Sequence, residues 1–526
     1  MASTASGTFS RYGDGTTRRL AARWGTLVLL SLAALSLVLH FLGASRYGFF
    51  RDELYYIACG DHLAWGYIDQ PPFIALVARV SKLLFGTSLS AFRVFPALSG
   101  ACLVFVAGRI TREMGGSRFA QILSGIAVLF TPIYLAFGSF LSMNAFEPVL
   151  WMACVWILLR ILNGQDQRLW VAFGFVAGIG ALNKHTMLMF VFALLVGLML
   201  TPQRRYLWSR WLWLGMLLGF LIFLPNLIWE SRHGWPQIEV VRNAQELKNT
   251  PVGLFRFLWE QILFLNPVAL PILLAGLGWL GFGKHGMRFR SVGWAFAIVL
   301  AIVFFLHGKT YYPMPAFPMI VAAGAVAIES WLGDPRYRAL KTTYAAILAV
   351  SGVVMIPLVV PVLPMGSLLA YQKLISLSDA VQMERDSEGS LHQLYADMLG
   401  WDNIASVVAE VYHRLPASEQ SVCAILAGNY GEAGAIDLLG AHYGLPKAIS
   451  GHNNYHLWGP RGYTGERVIL FGENAEQIKT MFADVKQVAT VISPLAAPAE
   501  RSLPVYLCRK PKKSLAVLWP GLKFYL

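Results

Sequence analysis

Four carboxylates, Asp52, Glu53, Asp61 and Asp69, fall in one short stretch, FRDELYYIACGDHLAWGYIDQPP, from Phe50 to Pro72. A carboxylate held beside a substrate can take the proton of an attacking hydroxyl or amine. Asp52 and Glu53 are adjacent, so on a helix their side chains diverge by about 100° and cannot share one role. One is expected to point into a cavity while the other pairs with a base or anchors the loop. In Asp69-Gln70-Pro71-Pro72 the prolines stiffen the backbone and hold the preceding residue extended, which aims Asp69. The same prolines also suit a plain turn. We expect Asp52 to carry the chemistry, Glu53 and Asp69 to support it beside Tyr55, Tyr56 and Trp65, and Asp61 to be solvated.

Three further places hold polar groups at the ends of apolar runs. Lys184 and His185 interrupt one such run, and a charge there is costly unless it reaches the interface or serves a purpose. It is either a lysine snorkelling at a helix hairpin or a cation meeting a phosphate. His307, Lys309, Tyr311 and Tyr312 lie in HGKTYYPMPAFP, which reads as a phosphate-binding loop or as an aromatic belt. Asn144 and Glu147, in SMNAFEP, open a helix as a cap with an acidic first turn or as ligands. Together these groups suit a lipid-linked phosphosugar. Its phosphate is already a good leaving group, so cations and one base suffice.

The elements that must position them are membrane spans. The chain has 526 residues, 56% hydrophobic and 14% charged, where a soluble protein carries about a quarter charged. The net charge of +14 is scattered in short clusters between apolar runs, which signals topology and excludes a nucleic-acid stripe. Five cysteines show no metal-ligand spacing; Cys423 and Cys508 both lie in the C-terminal region and could pair if that region is extracytoplasmic. Arg11, Arg18, Arg19 and Arg23 precede the first apolar run, 24–43, placing a tail 1–23 in the cytoplasm. That run is long, has no small-residue cleavage site, and reads as a retained span.

The segment 73–85 carries Phe73, Val77, Val80 and Leu84 at helical spacing, with Arg79 and Lys82 on another face. It reads as an interfacial helix within a first outer loop, 44–91. Later spans at 92–110, 119–137, 146–162, 169–183, 186–201, 210–229, 257–281, 291–306, 311–332 and 342–363 bring the total to about eleven. If 73–85 does not cross, the clusters around Arg112, Arg160, Arg205, Arg288 and Arg338 all fall inside, a consistent positive-inside pattern. The carboxylates, Lys184, Lys309 and everything after 364 then lie outside. The loop 230–256 could hold a capping amphipathic helix. Within 364–526, strands are expected at 421–427, 467–471 and 505–508 and helices at 403–414 and 475–485, forming a small α/β domain.

RDELYY, GYIDQPP, NKHT and GKTYYPMPAFP resemble the bacterial branch of the dolichyl-phosphate-mannose–protein mannosyltransferase family, over roughly residues 24–340. They are more distantly similar to the aminoarabinose transferases that modify lipid A. The resemblance implies a GT-C-like polytopic α-helical membrane protein, here with about 11 transmembrane helices and a C-terminal extracytoplasmic α/β domain. It implies a polyprenyl-phosphate-linked sugar as donor and inversion at the anomeric carbon. Asp52 falls at the position of the base, with Glu53 beside it, and Lys184 and Lys309 near the donor phosphate. Tyr55, Asp69, Gln70, Asn144, His185, His307, Tyr311 and Tyr312 complete the expected substrate-binding set, in the cytoplasmic membrane of a bacterium.

No cofactor is firmly implied, and a divalent cation is compatible with the carboxylates. The acceptor, a lipid, glycan or protein, is not carried over, because GNYGEAGAID and KAISGHNNYHLWGPRGYTGE depart from the family's repeat domain. That run, Tyr430 to Tyr463, either covers the site, binds acceptor, or is a loop-rich fold. A transporter or lipid flippase is the competing class. It would place ionisable groups near the bilayer midplane, often in repeated halves, and neither is visible.

Overall fold

The structure, a computed structural model, describes residues 15–248, 252–375 and 391–526. Arg11 of the expected cytoplasmic tail, residues 249–251 of the 230–256 loop and residues 376–390 of the C-terminal region lie outside the described residues. Among the described residues, seven helices are long and apolar enough to cross a membrane, or nine if two bent pairs each count as one span. The chain is a multi-pass helical membrane protein. The count reaches the expected eleven only when the shorter apolar helices Arg118–Leu129 and Leu169–Asn183 are added.

Two runs expected to be straight are broken. The 257–281 run divides into Leu254–Leu265 and Leu270–Phe282, bent by 98°. Asn266 makes the corner at φ 95°, and its side chain caps the next turn by accepting from the Val268 N–H at 3.1 Å, with Pro267 at the first position where no N–H is needed. The 119–137 run stops at Leu129 and resumes at Pro132.

The two ends of the bundle differ chemically. At one end the basic loops meet. Arg288 Nε donates to the Leu162 carbonyl at 2.7 Å, Asn163 Nδ2 to that of Glu113 at 2.8 Å, and the Ser117 N–H to Glu329 at 2.7 Å. At the other end Gly43, closing the first span, lies against Pro361, and the Tyr47 hydroxyl donates to the Leu363 carbonyl at 2.6 Å. The acidic stretch and the C-terminal region therefore share one end.

The segment 73–85 is a helix, Phe73–Phe85, with both ends at that side. Its packed face is Ile74, Ala75, Ala78 and Ser81, while Leu76, Leu83, Leu84 and Phe85 are exposed. One face lies on protein and the other is free to meet lipid, as an interfacial helix requires. Its Lys82 Nζ and Arg79 Nη1 pair with Asp61 at 2.7 and 3.2 Å. Asp61 is thus exposed, as expected, and at the same time an anchor of this helix.

The C-terminal region forms one five-stranded sheet in the order β2-β1-β3-β5-β4, from β1 (Cys423–Ala427), β2 (Ile449–Ser450), β3 (Arg467–Phe471), β4 (Phe482–Ile492) and β5 (Ser502–Pro511). β1 pairs in parallel with β2 and β3, while β5 runs antiparallel to β3 and β4. The helix expected over 475–485 ends at Met481, because the following FADVKQVATVI is rich in β-branched residues and finds β5 as a partner. Cys423 and Cys508 lie on strands separated by β3, and all five cysteines are free. Strands two apart stand about 9.5 Å from each other, beyond disulfide reach.

A helix, Tyr430–Leu438, follows β1 and is closed by a capping box. The Asn429 side chain accepts from the Gly431 and Glu432 N–H groups at 2.9 and 3.0 Å, and Glu432 returns to accept from the Gly428 N–H at 2.9 Å. Glu432 is buried, and burial, then the neighbouring Glu500 charge, push its carboxyl up to about 8. Folding therefore raises its pKa, and the folded state holds a proton that the unfolded chain releases above about 4.3. Its contribution to stability is full below that value and is lost as pH rises toward 8. Wild type should lose more thermal stability than Glu432→Gln across this window, measured by melting both in detergent; parallel melting curves would contradict this.

Candidate active site

The loop helix Arg51–Asp61 opens the site. Its adjacent acids point in opposite directions, as the helical angle demands. Glu53 is fully buried and receives four bonds: Arg93 Nη2 at 3.0 Å and Nε at 3.3 Å, the Leu141 N–H at 2.8 Å and the Phe50 N–H at 2.8 Å. Arg93 is 1% exposed and spends its remaining N–H groups on the carbonyls of Ala44, Arg46 and Gly48. Glu53, expected beside the chemistry, is instead saturated inside the protein, where it ties the loop helix to the second span. Arg93 was not among the expected site residues; an arginine inside the apolar run Leu89–Glu113 was its signal, since such a charge needs a partner.

Asp52 keeps a partly open side chain, 31% exposed. The Tyr430 hydroxyl donates to its Oδ1 at 2.8 Å, and Arg51 Nε stands 4.0 Å from the same oxygen. Asp69 accepts from the Tyr55 hydroxyl at 2.7 Å, and Tyr55 also meets Asn454 Oδ1 at 3.1 Å. Asn454 Oδ1 accepts from the Ile68 N–H at 2.7 Å, so the C-terminal region holds the Asp69 loop by its backbone. Tyr430 and Asn454 lie in the aromatic and polar run 430–463 and reach the acidic stretch from it.

Tyr56 joins the acidic groups to the rest. Burial pushes its phenol well above the ordinary range, and the charges of Asp52 and Asp69 and the phenols of Tyr430 and Tyr311 push the same way. Tyr311 and Tyr312 then flank Lys184, whose Nζ lies 6.0 and 4.4 Å from the two ring centroids. Lys184 donates to Asn144 Oδ1 at 2.8 Å and to Glu147 Oε2 at 3.0 Å, and the Thr186 hydroxyl holds the other Glu147 oxygen. The helix break at 184–185 and the start of Met143–Leu162 are thus locked together around one ammonium. Asp52 and Asp69 are thus linked through Tyr56 and Tyr311 to the group formed by Lys184, Asn144 and Tyr312.

The remaining expected ligands differ in placement. Gln70 is fully buried and directs Nε2 to Cys59 Sγ at 3.5 Å, so it packs the turn. His185 Nε2 meets Asn226 Oδ1 at 3.0 Å, and Asn226 donates to the Trp65 carbonyl at 2.9 Å. His185 therefore steadies the acidic loop through Asn226. His307 is exposed at the rim, with φ 51°. Lys309 is half-buried, its Nζ 6.0 Å from the Tyr311 ring centroid. Among the described residues, no three His, Cys, Asp or Glu side chains are arranged to hold a metal ion.

Fold and site together describe a polytopic helical membrane protein with a mixed α/β sheet region at its C-terminal end. Residues 69–229 match the model of the family described as dolichyl-phosphate-mannose-protein mannosyltransferase. The structure is similar to that of ArnT from Cupriavidus metallidurans bound to undecaprenyl phosphate, with a TM-score of 0.60 and 16% identity, covering 90% of this chain and 97% of that one. The apo structure of the same ArnT gives a TM-score of 0.59 at 17% identity, covering 92% and 98%. At such identity the likeness is one of fold. Among curated proteins, none matches the chain by sequence.

Proposed function

We propose that the protein is a membrane glycosyltransferase that moves a sugar from a polyprenyl-phosphate donor to a lipid, glycan or protein acceptor. The observation that carries this reading is the arrangement around Tyr56, with a partly open carboxylate on one side and a tyrosine-flanked lysine on the other. The family match over residues 69–229 and the undecaprenyl phosphate bound to the similarly folded ArnT support it. In this reading the acceptor oxygen or nitrogen attacks the anomeric carbon as Asp52 takes its proton. The bond from that carbon to the phosphate oxygen breaks, and the polyprenyl phosphate leaves with the electron pair. Lys184, with Lys309 nearby, holds the phosphate as its charge grows. A single in-line displacement inverts the anomeric centre. The basic end of the bundle faces the cytoplasm of a bacterium, and the site opens at the outer face of its inner membrane.

The test is transfer in proteoliposomes with a panel of polyprenyl-phosphate sugars, read as free polyprenyl phosphate and as glycosylated acceptor. Mass spectrometry of envelope glycans with and without the protein identifies the natural product. An unchanged glycan profile with an altered transport phenotype would favour the flippase. Lys184→Ala should weaken donor binding about ten- to a hundredfold, the loss of one charge-assisted hydrogen bond, and leave acceptor binding nearly unchanged. Because this leaves Glu147 unpaired, the double variant Lys184→Met, Glu147→Gln serves as the folded control. Equal loss of donor and acceptor binding in both would count against the phosphate role.

A further inference from the structure

We propose that Tyr430 is a positioning residue for Asp52, so that the C-terminal domain is itself a part of the transfer site. This deepens the proposed function and rests on Asp52 acting as the base. The capping box at Asn429 and Glu432 fixes the first turn of Tyr430–Leu438, and with it the direction of the Tyr430 side chain. That helix lies directly on the loop helix. A Cβ at Gly431 would stand 2.6 Å from Arg51 Cγ, and one at Gly434 would stand 2.9 Å from the Leu54 backbone carbonyl carbon. Glycines one turn apart thus let two helices approach to backbone contact, one from each domain.

The Tyr430 ring is held on every side. It lies 4.8 Å from the Tyr55 ring centroid and 4.7 Å from that of His452, with the Arg51 guanidinium 6.0 Å from its own centroid. Arg51 is steadied from the far side by Asp397, 3.9 Å from Nη2. Burial first, then the Asp52 charge, holds the Tyr430 phenol well above its ordinary range, so it keeps its single proton and donates it to Oδ1. A carboxylate with one oxygen tied in this way presents the other to an incoming acceptor. The groups facing Asp52 are Arg51 and Tyr56 on its own helix, Asp69 on the following loop and Tyr430 on the docked helix. Beyond Tyr56 lies Tyr311.

The experiment compares wild type, Tyr430→Phe and Gly434→Leu in proteoliposomes. Tyr430→Phe should lower kcat about tenfold with little change in donor KM. A purely structural tyrosine would lower donor affinity and melting temperature along with kcat. A second readout needs no turnover. Carbodiimide modification of Asp52 at one fixed pH, followed by peptide mass spectrometry, should be faster in Tyr430→Phe and in Gly434→Leu, whose added side chain forces the helices apart. An unchanged modification rate and an unchanged kcat in Tyr430→Phe would overturn the proposal. A faster modification in a protein that transfers no sugar from any donor would uphold the positioning and overturn the transferase reading instead.

Discussion

Asp52→Asn is expected to lower sugar transfer by about 10²- to 10⁴-fold, the usual contribution of a general base, while the protein inserts and folds normally. The asparagine is isosteric, and its carbonyl oxygen can still accept the Tyr430 hydroxyl, which holds Oδ1 at 2.8 Å. The side chain is partly open, at 31% exposure, so the change strands no buried charge. Donor affinity should survive, because Lys184 and its partners lie across Tyr56 and are untouched. The measurement is turnover beside donor binding in the same proteoliposomes. Normal turnover by the variant would remove Asp52 from the chemistry.

One residue on, the expectation reverses. Glu53→Ala or Arg93→Ala breaks a pair exposed by 0% and 1%. Removing one member of a buried ion pair leaves the other without compensation and costs about 3–5 kcal/mol, a large share of a marginal total of about 5–15 kcal/mol. Glu53→Ala additionally orphans the Phe50 and Leu141 N–H groups. Both variants should give little monodisperse protein in detergent and a melting temperature well below that of wild type. Glu53→Gln, which keeps the shape and some of the bonds, should fall between. A normal melting temperature combined with lost transfer in Glu53→Ala would show that the residue belongs to the chemistry after all.

The contrast marks how far the residues alone could be read. Adjacency showed that Asp52 and Glu53 must diverge, but not which one turned inward. Arg93 decides that, from another helix 40 positions away, and no local pattern carries such a contact. Spans were legible because each is a long apolar run, and helix boundaries followed wherever glycine or proline broke the run. The corner at Asn266 was not legible, because Asn-Pro within an apolar run also suits a kink that leaves the span straight overall. In the C-terminal region β3 was found where expected, since Arg467–Phe471 is a short apolar run bounded by turns. β4 was missed because AEQIKTM and the strand after it share apolar spacing through Val485. His185 stood among the expected substrate-binding residues beside Lys184, yet its partner Asn226 is set by how the helix Arg210–Arg232 packs.

The bond from Tyr55 to Asn454 spans 399 positions of chain, and this has a consequence in time. Synthesis proceeds from the N-terminus at about 5–20 residues per second. The loop helix therefore waits about 20–80 s for the residues that fasten it. During that interval the spans are inserting into the membrane while the Asp69 loop still lacks its clamp and Asp52 its phenol. If the proposed function holds, competence arrives only when the C-terminal sheet region has folded, and a chain stalled or truncated before that point is expected to be an inert membrane bundle.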